Sequence, residues 1–419
     1  MSQRQQKAIA FSRREFVAGV GAATGLTLVS RPAFGQQAAT ADFSGPKIKI
    51  GVVGCGGRGL FMCGGRGSFM ANLFQKHGGY EIVAAADYFQ NRIDAFGEKF
   101  GVPAGRRFTG LSGYKRVLEA KPDAVVLTTA PYFRPEQAAA AVEAGCHVYL
   151  AKPVAVDVPG CRSIEASGRK ATEKKLCFLV DFQTRAQPFY QEALRLVHGG
   201  ALGEIAFGEA YYHCGRLNVQ PPTEGLESRI SNWGFDKALS GDIITEQNIH
   251  ALDVMNWVFQ SPPLHAFGTG GRKVRVDVGD NWDYFTLHYQ YPNNVGMVFS
   301  SRQFEAHGTT PEGIVCRVFG SKGVLETRYG GNVMIRGETF YRGGSTRQIY
   351  VEGAAANVAA FHEAIAKGHC ANETVAPSVQ SCLITIMGRK AAYTGKRVTW
   401  DEIAKDTERL DGRLDGLKI

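Results

Sequence analysis

The sequence lacks the marks of several protein classes. Its nine cysteines, an odd number, include no Cys-x-x-Cys pair and show no spacing typical of a zinc site or a disulfide framework. The net charge of +9 is mild for 419 residues, and no cluster of basic residues interleaved with aromatics suggests nucleic-acid binding. After the first 35 residues, no apolar run approaches the length of a membrane-spanning helix. We therefore expect a globular protein with no metal site, no nucleic-acid partner and cysteines buried in its core.

The first 35 residues resemble a twin-arginine export signal. The pair Arg13-Arg14 precedes a weakly hydrophobic, glycine-rich stretch at 17–29, and small residues before Gln36 suit a signal peptidase. Residues 36–46 would then form a linker. The prediction is a periplasmic or secreted protein that is exported already folded and keeps no membrane anchor after cleavage.

A glycine motif follows the first predicted strand. That strand, 47–53 (KIKIGVV), runs directly into a G-x-G-x-x-G sequence. The first glycine permits a tight turn, the second lets the backbone approach a pyrophosphate, and the third lets the next helix pack closely. The N–H groups at the start of that helix then face the phosphates. The residues expected to bind a dinucleotide here are Gly54, Gly56, Gly57, Arg58 and Gly59.

The next predicted strand, 81–86, ends in Asp87, where a carboxylate would accept hydrogen bonds from the ribose hydroxyls. The same carboxylate would repel a 2′-phosphate. The sequence therefore favours NAD over NADP.

The glycine loop contains a tandem duplication. Residues 55–62 (CGGRGLFM) are repeated almost unchanged as 63–70 (CGGRGSFM). The first copy follows the strand directly, whereas the second has the usual spacing of about 20 residues to the acid. Either copy can hold the phosphates, and we favour the first.

Further strands at 123–127 and 147–150 alternate with a helix at 135–144, which indicates a parallel, doubly wound sheet. Ligands of such sheets bind at the carboxyl ends of the strands. The residues that follow these two strands are therefore candidates for the site: Thr128, Thr129 and Pro131 for the cofactor, and Lys152 for both cofactor and catalysis.

A second group of candidates lies at 241–257, where the spacing predicts one amphipathic helix. Glu246, His250, Asp253 and Trp257 share one face, and apolar residues form the other. An acid four residues before a histidine can orient its ring. A solvated helix face is the alternative interpretation.

Together these motifs resemble the Gfo/Idh/MocA family, the group of glucose–fructose oxidoreductase and inositol dehydrogenase, from about Lys47 to Ile403. The resemblance rests on the glycine motif, the Ala144–Pro153 stretch (AGCHVYLAKP) and the helix with Glu246 and His250. It implies that Lys152 and His250, helped by Glu246, handle the substrate proton while hydride passes to nicotinamide.

The sequence departs from the family pattern at three places. Ala151 replaces the usual glutamate before Lys-Pro, Glu246 replaces an aspartate, and Phe133-Arg134 replaces a common histidine. Substrate orientation is therefore expected to differ from that of inositol dehydrogenase.

The resemblance also implies the fold class, α/β, with an N-terminal Rossmann dinucleotide-binding domain (47–182) and a C-terminal α+β domain (183–419). The second domain should contain an open, mainly antiparallel sheet, and a helix near 357–368 should pack back on the first. Alternating residues predict hairpins at 285–300 and 315–327. The family commonly forms homodimers or homotetramers through one face of this sheet, which would place Phe285, Leu287, Tyr289 and Tyr291 at the interface.

The hypothesis from the sequence is an NAD(P)-dependent oxidoreductase acting on a hydroxyl carbon of a sugar, glycoside or cyclitol. Candidates for substrate binding are Arg185, Arg229, Trp233 and Asp253, each with a structural role as the alternative. Export with bound cofactor suggests a second hypothesis, a redox-neutral enzyme (a glycosidase or epimerase acting through a transient keto sugar) whose NAD does not dissociate. A non-catalytic sugar-binding protein with a structural dinucleotide is the third.

Overall fold

The computed structural model describes residues 45–56 and 69–419. The predicted export signal, most of the linker, and Gly57, Arg58 and Gly59 of the glycine motif lie outside the described residues. So does nearly all of the second loop copy. Within the two described ranges, no helix is long and apolar enough to cross a membrane.

The first part of the chain forms a parallel sheet with helices between its strands. In chain order its elements are β1 (Ile48–Val53), α1 (Phe69–His77), β2 (Tyr80–Asp87), α2 (Gln90–Phe100), β3 (Arg107–Thr109), α3 (Gly113–Glu119), β4 (Ala124–Leu127), α4 (Arg134–Glu143), β5 (His147–Ala151), α5 (Val158–Glu173) and β6 (Phe178–Asp181). The spatial order is β3-β2-β1-β4-β5-β6, and all the pairs are parallel. This order is that of the Rossmann fold, with its topological switch point between β1 and β4.

The strands of this sheet are short apolar runs because helices cover both faces. All four residues of β4 are buried, as are five of the six in β1. Helix α5 begins where the Asp157 carboxylate accepts the N–H of Gly160 and Pro159 occupies the first turn. The sequence therefore predicted this sheet from its apolar runs and turn residues.

The second part forms a larger sheet with helices on one face. Its elements are α6 (Pro188–His198), β7 (Ile205–Cys214), α7 (Glu227–Ser231), α8 (Lys237–Ser240), α9 (Asp242–Glu246), α10 (Ile249–Phe259), β8 (His265–Gly271), β9 (Tyr284–Gln290), β10 (Gly296–Gln303), β11 (Gly313–Gly320), β12 (Gly323–Arg328), β13 (Asn332–Gly337), β14 (Tyr341–Ser345), α11 (Ile349–Lys367), α12 (Val375–Thr394), β15 (Val398–Thr399) and α13 (Trp400–Lys405). The strand order is β14-β13-β12-β11-β7-β10-β9-β8-β15, antiparallel except for β7 and β10. The α/β fold class and both predicted hairpins are confirmed.

Helices α11 and α12 link the two sheets. Tyr80 of β2 donates a hydrogen bond to the Val358 carbonyl of α11, and Asn357 donates to the Asp181 carboxylate at the end of β6. Helix α12 packs against α5, α10 and the strands β8 and β9. The late part of the chain therefore stabilises both sheets.

The predicted position of one aromatic stripe is wrong. Phe285, Leu287, Tyr289 and Tyr291 are all buried, and the Tyr289 hydroxyl donates to the Ile384 carbonyl of α12. Strand alternation fixes which residues share a face but not which face meets the helices. The open face instead exposes Phe207, Phe267 and Val298.

The last residues, 406–419, form an extended segment that we call the C-terminal strap. On the second domain, Arg229 donates to the carbonyls of Gly412 and Arg413. On the first domain, the Leu111 N–H donates to the Lys418 carbonyl, and Lys418 donates through its own N–H to the Tyr88 hydroxyl. The strap therefore binds both parts of the fold.

Candidate active site

One cavity of about 670 Å³ opens at the carboxyl edge of the parallel sheet. Its size falls in the usual range of cofactor and ligand pockets. Both sheets contribute to its wall. The predicted site residues that line it are Gly54, Gly56, Asp87, Thr128, Thr129, Lys152, Trp233, Glu246 and His250.

The described part of the glycine loop packs closely against the loop that follows β4. Gly54 has φ +94°, and a Cβ there would lie 2.8 Å from the Thr129 nitrogen. The Thr128 hydroxyl donates to the Gly54 carbonyl at 2.7 Å, which holds the loop against β4. Among the described residues, a Cβ at Gly56 would meet only Arg92, at 3.6 Å. A side chain is therefore excluded at the first glycine of the motif.

Asp87 ends β2 with its carboxylate on this cavity. It accepts the N–H of Cys55 at 2.8 Å and the N–H of Phe89 at 3.0 Å. Burial raises the pKa of the Asp87 carboxyl, and these N–H donors and the nearby Arg92 oppose that rise. The position at the end of the second strand fits the acid that binds a ribose, so the residues present fit a dinucleotide.

Lys152 of the first domain and Glu246 of the second form an ion pair in the cavity. The Lys152 ammonium donates to the Glu246 carboxylate at 3.2 Å and to the Glu246 backbone carbonyl at 2.5 Å. Both side chains are mostly buried, 9% and 17% exposed. Lys152 follows β5, whereas Glu246 ends α9. Sequence spacing alone could not show that these two residues meet.

His250 completes the predicted catalytic group. It is 7% exposed, lines the same cavity, and its ring lies between Tyr329 (centroids 5.3 Å apart) and Phe182 (6.4 Å). The aromatic neighbours restrict the ring's rotation, while the cavity side stays open to a ligand. The wall therefore presents an ammonium, a carboxylate and an imidazole together.

The predicted single helix over 241–257 is wrong, because it breaks at Gln247 and Asn248. The N–H groups of both residues donate to the Ile243 carbonyl, and Gln303 of β10 donates to the Gln247 side chain at 2.5 Å. The Asn248 N–H bonds five residues back instead of four, so the regular ladder gives way to a turn between α9 and α10. The 3.6-residue spacing of apolar and polar residues predicts a helix but carries no information about contacts with a distant strand.

Asp253 is bound by another side chain of the fold. This carboxylate is fully buried and binds Arg185 through three hydrogen bonds of 2.9–3.1 Å, with Ser381 as a further donor. The Arg185 guanidinium lies 5.2 Å from the Trp257 ring. Neither Arg185 nor Asp253 lines the cavity. The structure therefore places both predicted substrate-binding residues in contact with each other and outside the cavity lining.

Two more predicted residues stand apart from the cavity. Arg229 binds the Asp236 carboxylate at 2.7 Å and uses its other nitrogens on the strap. Pro131 does not line the cavity, although its neighbour Ala130 does. Of the four residues predicted for substrate binding alone, Trp233 is the one that lines the cavity.

The sequence reasoning missed several polar residues of the wall. Arg92 packs 4.4 Å from the Phe89 ring, next to the glycine loop, and donates to the Ser231 hydroxyl of the second domain at 2.8 Å. Others are Asn218, Gln220, Asn232, Gln247 and Tyr350. Most lie in loops, where no periodic pattern marks them.

Comparison with known proteins agrees with this architecture. Residues 48–182 match the model described as the oxidoreductase family with an NAD-binding Rossmann fold, and residues 190–326 match the GFO/IDH/MocA C-terminal domain. D-glucoside 3-dehydrogenase of Escherichia coli is 27% identical over 51% of this chain and 58% of its own length. A glycosyl hydrolase family 109 protein of Shewanella pealeana is 22% identical over 62% of this chain and 51% of its own length. The chain thus spans a little over half the length of these relatives.

The solved structure of an aldose–aldose oxidoreductase from Caulobacter crescentus superposes with a TM-score of 0.66 at 17% identity. It covers 84% of this chain and 99% of the other, which shows a shared fold. The two family models together match well over half of the residues, in the order in which the two sheets occur. The chain therefore belongs to the Gfo/Idh/MocA family of oxidoreductases.

Proposed function

We propose that this protein is an NAD(P)-dependent oxidoreductase that transfers hydride between nicotinamide and a hydroxyl carbon of a sugar, glycoside or cyclitol. One observation carries the proposal. Lys152, bonded to Glu246, and His250 line the same cavity as the glycine loop and Asp87. Acid–base groups and a dinucleotide cradle therefore share one space.

Bound nicotinamide would supply the hydride acceptor. The chain's own residues must hold the substrate and take its proton. His250, or Lys152 in its neutral amine form, would accept the proton of a hydroxyl in the cavity, and Glu246 orients the Lys152 nitrogen through its 3.2 Å contact. Trp233 offers a ring face to a sugar, and the side chains of Asn218 and Gln220 offer hydrogen bonds. The carboxylate of Asp87 favours NAD over NADP.

The test is the absorbance of purified, extensively dialysed protein after addition of glycosides, aldoses and inositols, with and without NAD or NADP. NADH formed only with added NAD is expected of an ordinary dehydrogenase. Lys152→Ala should lower turnover by about 100-fold or more, the usual contribution of a general base. Turnover unchanged in this variant would overturn the catalytic role of Lys152, whereas sugar binding without turnover in the wild-type protein would support the non-catalytic alternative.

A second candidate is a redox-neutral enzyme with resident NAD, and the C-terminal strap favours it. Leu417 of the strap packs with Ala130 and Ile230, which line the cavity on opposite domains. Leu111, which bonds to the strap, lines the cavity as well. Opening the cavity for cofactor exchange would therefore disturb the strap.

The strap gives this candidate its own test. Dialysed wild-type protein should retain dinucleotide, and its NADH absorbance should rise and decay on addition of substrate. Leu417→Ser should release the nucleotide. Ile419→Ser is the matched control, since that side chain is 84% exposed. A wild-type protein that comes free of nucleotide would rule out the resident cofactor.

Export and assembly complete the proposal. The Arg13-Arg14 signal suits transport of a folded, cofactor-loaded protein to the periplasm or beyond. The open sheet face, with Phe207 stacked on Phe319 at 4.5 Å and Val298 about half exposed, suits a homodimer or homotetramer. A cell-fractionation assay with Arg13 and Arg14 changed to Lys tests export. The mass of the protein in solution tests the homodimer or homotetramer.

A further inference from the structure

Arg134 holds an unusual place in the cavity wall. It begins α4, is only 2% exposed, and lines the cavity. Its guanidinium donates through Nε and Nη2 to the Thr129 carbonyl, at 2.9 and 2.6 Å. Its Nη1 donates to the carbonyls of Ala151, at 3.1 Å, and of Pro153. One side chain thus binds the loops that follow two neighbouring strands, β4 and β5.

These carbonyls lie on both sides of Lys152. Ala151 and Pro153 are its immediate neighbours in the chain, so the guanidinium fixes the backbone at each end of the lysine. Residue 151 itself is a fully buried alanine, whose methyl group offers no polar contact. The side chain that holds the backbone around Lys152 is therefore Arg134 of α4.

The third carbonyl connects this arrangement to the cofactor loop. The N–H of Thr129 lies against Gly54, where a Cβ would approach it within 2.8 Å. A shift of the Thr129 peptide would therefore move the wall on which the dinucleotide rests. Arg134 couples the position of Lys152 to that wall.

We infer that Arg134 is a positioning residue, which fixes the Lys152 backbone so that its ammonium reaches both Glu246 and the substrate. This role rests on the proposed function of Lys152. A planar guanidinium has five donors in a fixed fork, so it can hold carbonyls in several directions. The single ammonium of a lysine at this position would hold fewer of them.

The experiment compares Arg134→Ala with Arg275→Ala. Arg275 is the matched control, since it is also 2% exposed and donates to loop carbonyls, those of Val278, Asn281 and Trp282, but does not itself line the cavity. For each variant, kcat and KM, the thermal midpoint, and chemical rescue by millimolar guanidinium are measured. Arg134→Lys is the second variant if the alanine form does not fold.

A readout without turnover keeps this inference separate from the proposed function. Lys152 is labelled with a small amine-reactive reagent in cofactor-free protein, and the labelled peptide is quantified by mass spectrometry. The Lys152 rate, relative to exposed lysines, should change several-fold in Arg134→Ala and stay unchanged in Arg275→Ala. This holds even if no tested sugar is a substrate.

The expected kinetic result is a loss in kcat of about 100-fold in Arg134→Ala, the usual effect of a misplacement near 1 Å, with KM within about threefold. Guanidinium should restore at least about tenfold of that loss. Arg275→Ala should lower the thermal midpoint without this kcat loss or rescue. An Arg134→Ala or folded Arg134→Lys protein with wild-type kcat and an unchanged Lys152 labelling rate would overturn the inference.

Discussion

The backbone N–H of Cys55 donates to the Asp87 carboxylate at 2.8 Å, joining the loop after β1 to the end of β2. The same carboxyl has its pKa raised, chiefly by burial. The folded protein therefore holds this proton more tightly than the unfolded chain does. The contribution of Asp87 to the free energy of unfolding therefore falls as the pH rises from 3.8, its ordinary pKa, through the raised pKa of the folded state.

Asp87→Asn should remove this pH dependence in cofactor-free protein. We expect the free energy of unfolding of the variant, relative to wild type, to increase as the pH rises through that window, because the variant has no carboxylate to desolvate. Urea unfolding at several pH values measures it. Parallel wild-type and variant curves across the window would show that Asp87 does not titrate in this way.

Gly54→Ala should weaken dinucleotide binding by at least about tenfold, since the added Cβ meets the Thr129 backbone and the residue has φ +94°. Gly101→Ala provides the control. It has φ +70° but nothing within 4 Å of the added Cβ, so it should cost about 1 kcal/mol of stability and leave binding intact. NADH fluorescence titration measures both. Equal affinity in Gly54→Ala and wild type would contradict the cradle.

Asp253→Ala should destabilise the fold by about 3 kcal/mol, because it leaves the Arg185 guanidinium without its buried carboxylate. Glu192→Ala, which breaks the exposed pair with Arg195, should cost less than about 1 kcal/mol. Denaturant unfolding gives both values. A large rise in KM in Asp253→Ala with unchanged stability would instead restore the substrate-binding prediction.

Phe207→Glu should reduce the mass of the protein in solution to that of a monomer, because it places a charge on the open face of the large sheet. Phe340→Glu is the control, as Phe340 is also exposed but lies between β13 and β14. Light scattering after size exclusion measures the mass. An oligomer that survives both changes would place the interface elsewhere.

The parallel sheet could be predicted from the sequence because its strands are continuous apolar runs that end at marked residues. Val53 precedes the glycine motif, and Leu127 and Leu150 precede polar loops, so each strand end fell close to its predicted place. Glu246 and His250, which line the cavity, could be predicted as site residues because local spacing and family likeness both marked them.

What the sequence could not predict depends on contacts between distant parts of the chain. The helix breaks beside Gln247, whose side chain bonds to Gln303 of a distant strand, and Arg185 pairs with Asp253 outside the cavity lining. Arg134 was marked only as a departure from the family pattern, since an arginine in the first turn of a helix is usually solvated, and the carbonyls that it binds belong to other elements.

The C-terminal strap makes closure of the cavity and docking of residues 406–419 parts of one equilibrium. Leu111 on one domain and Arg229 on the other both bond to it, so the domains cannot separate fully while it stays docked. A ligand that favours strap docking is in turn bound more tightly by the docked form, by the same coupling free energy. The protection of the strap's amides from hydrogen exchange should therefore increase when such a ligand occupies the cavity.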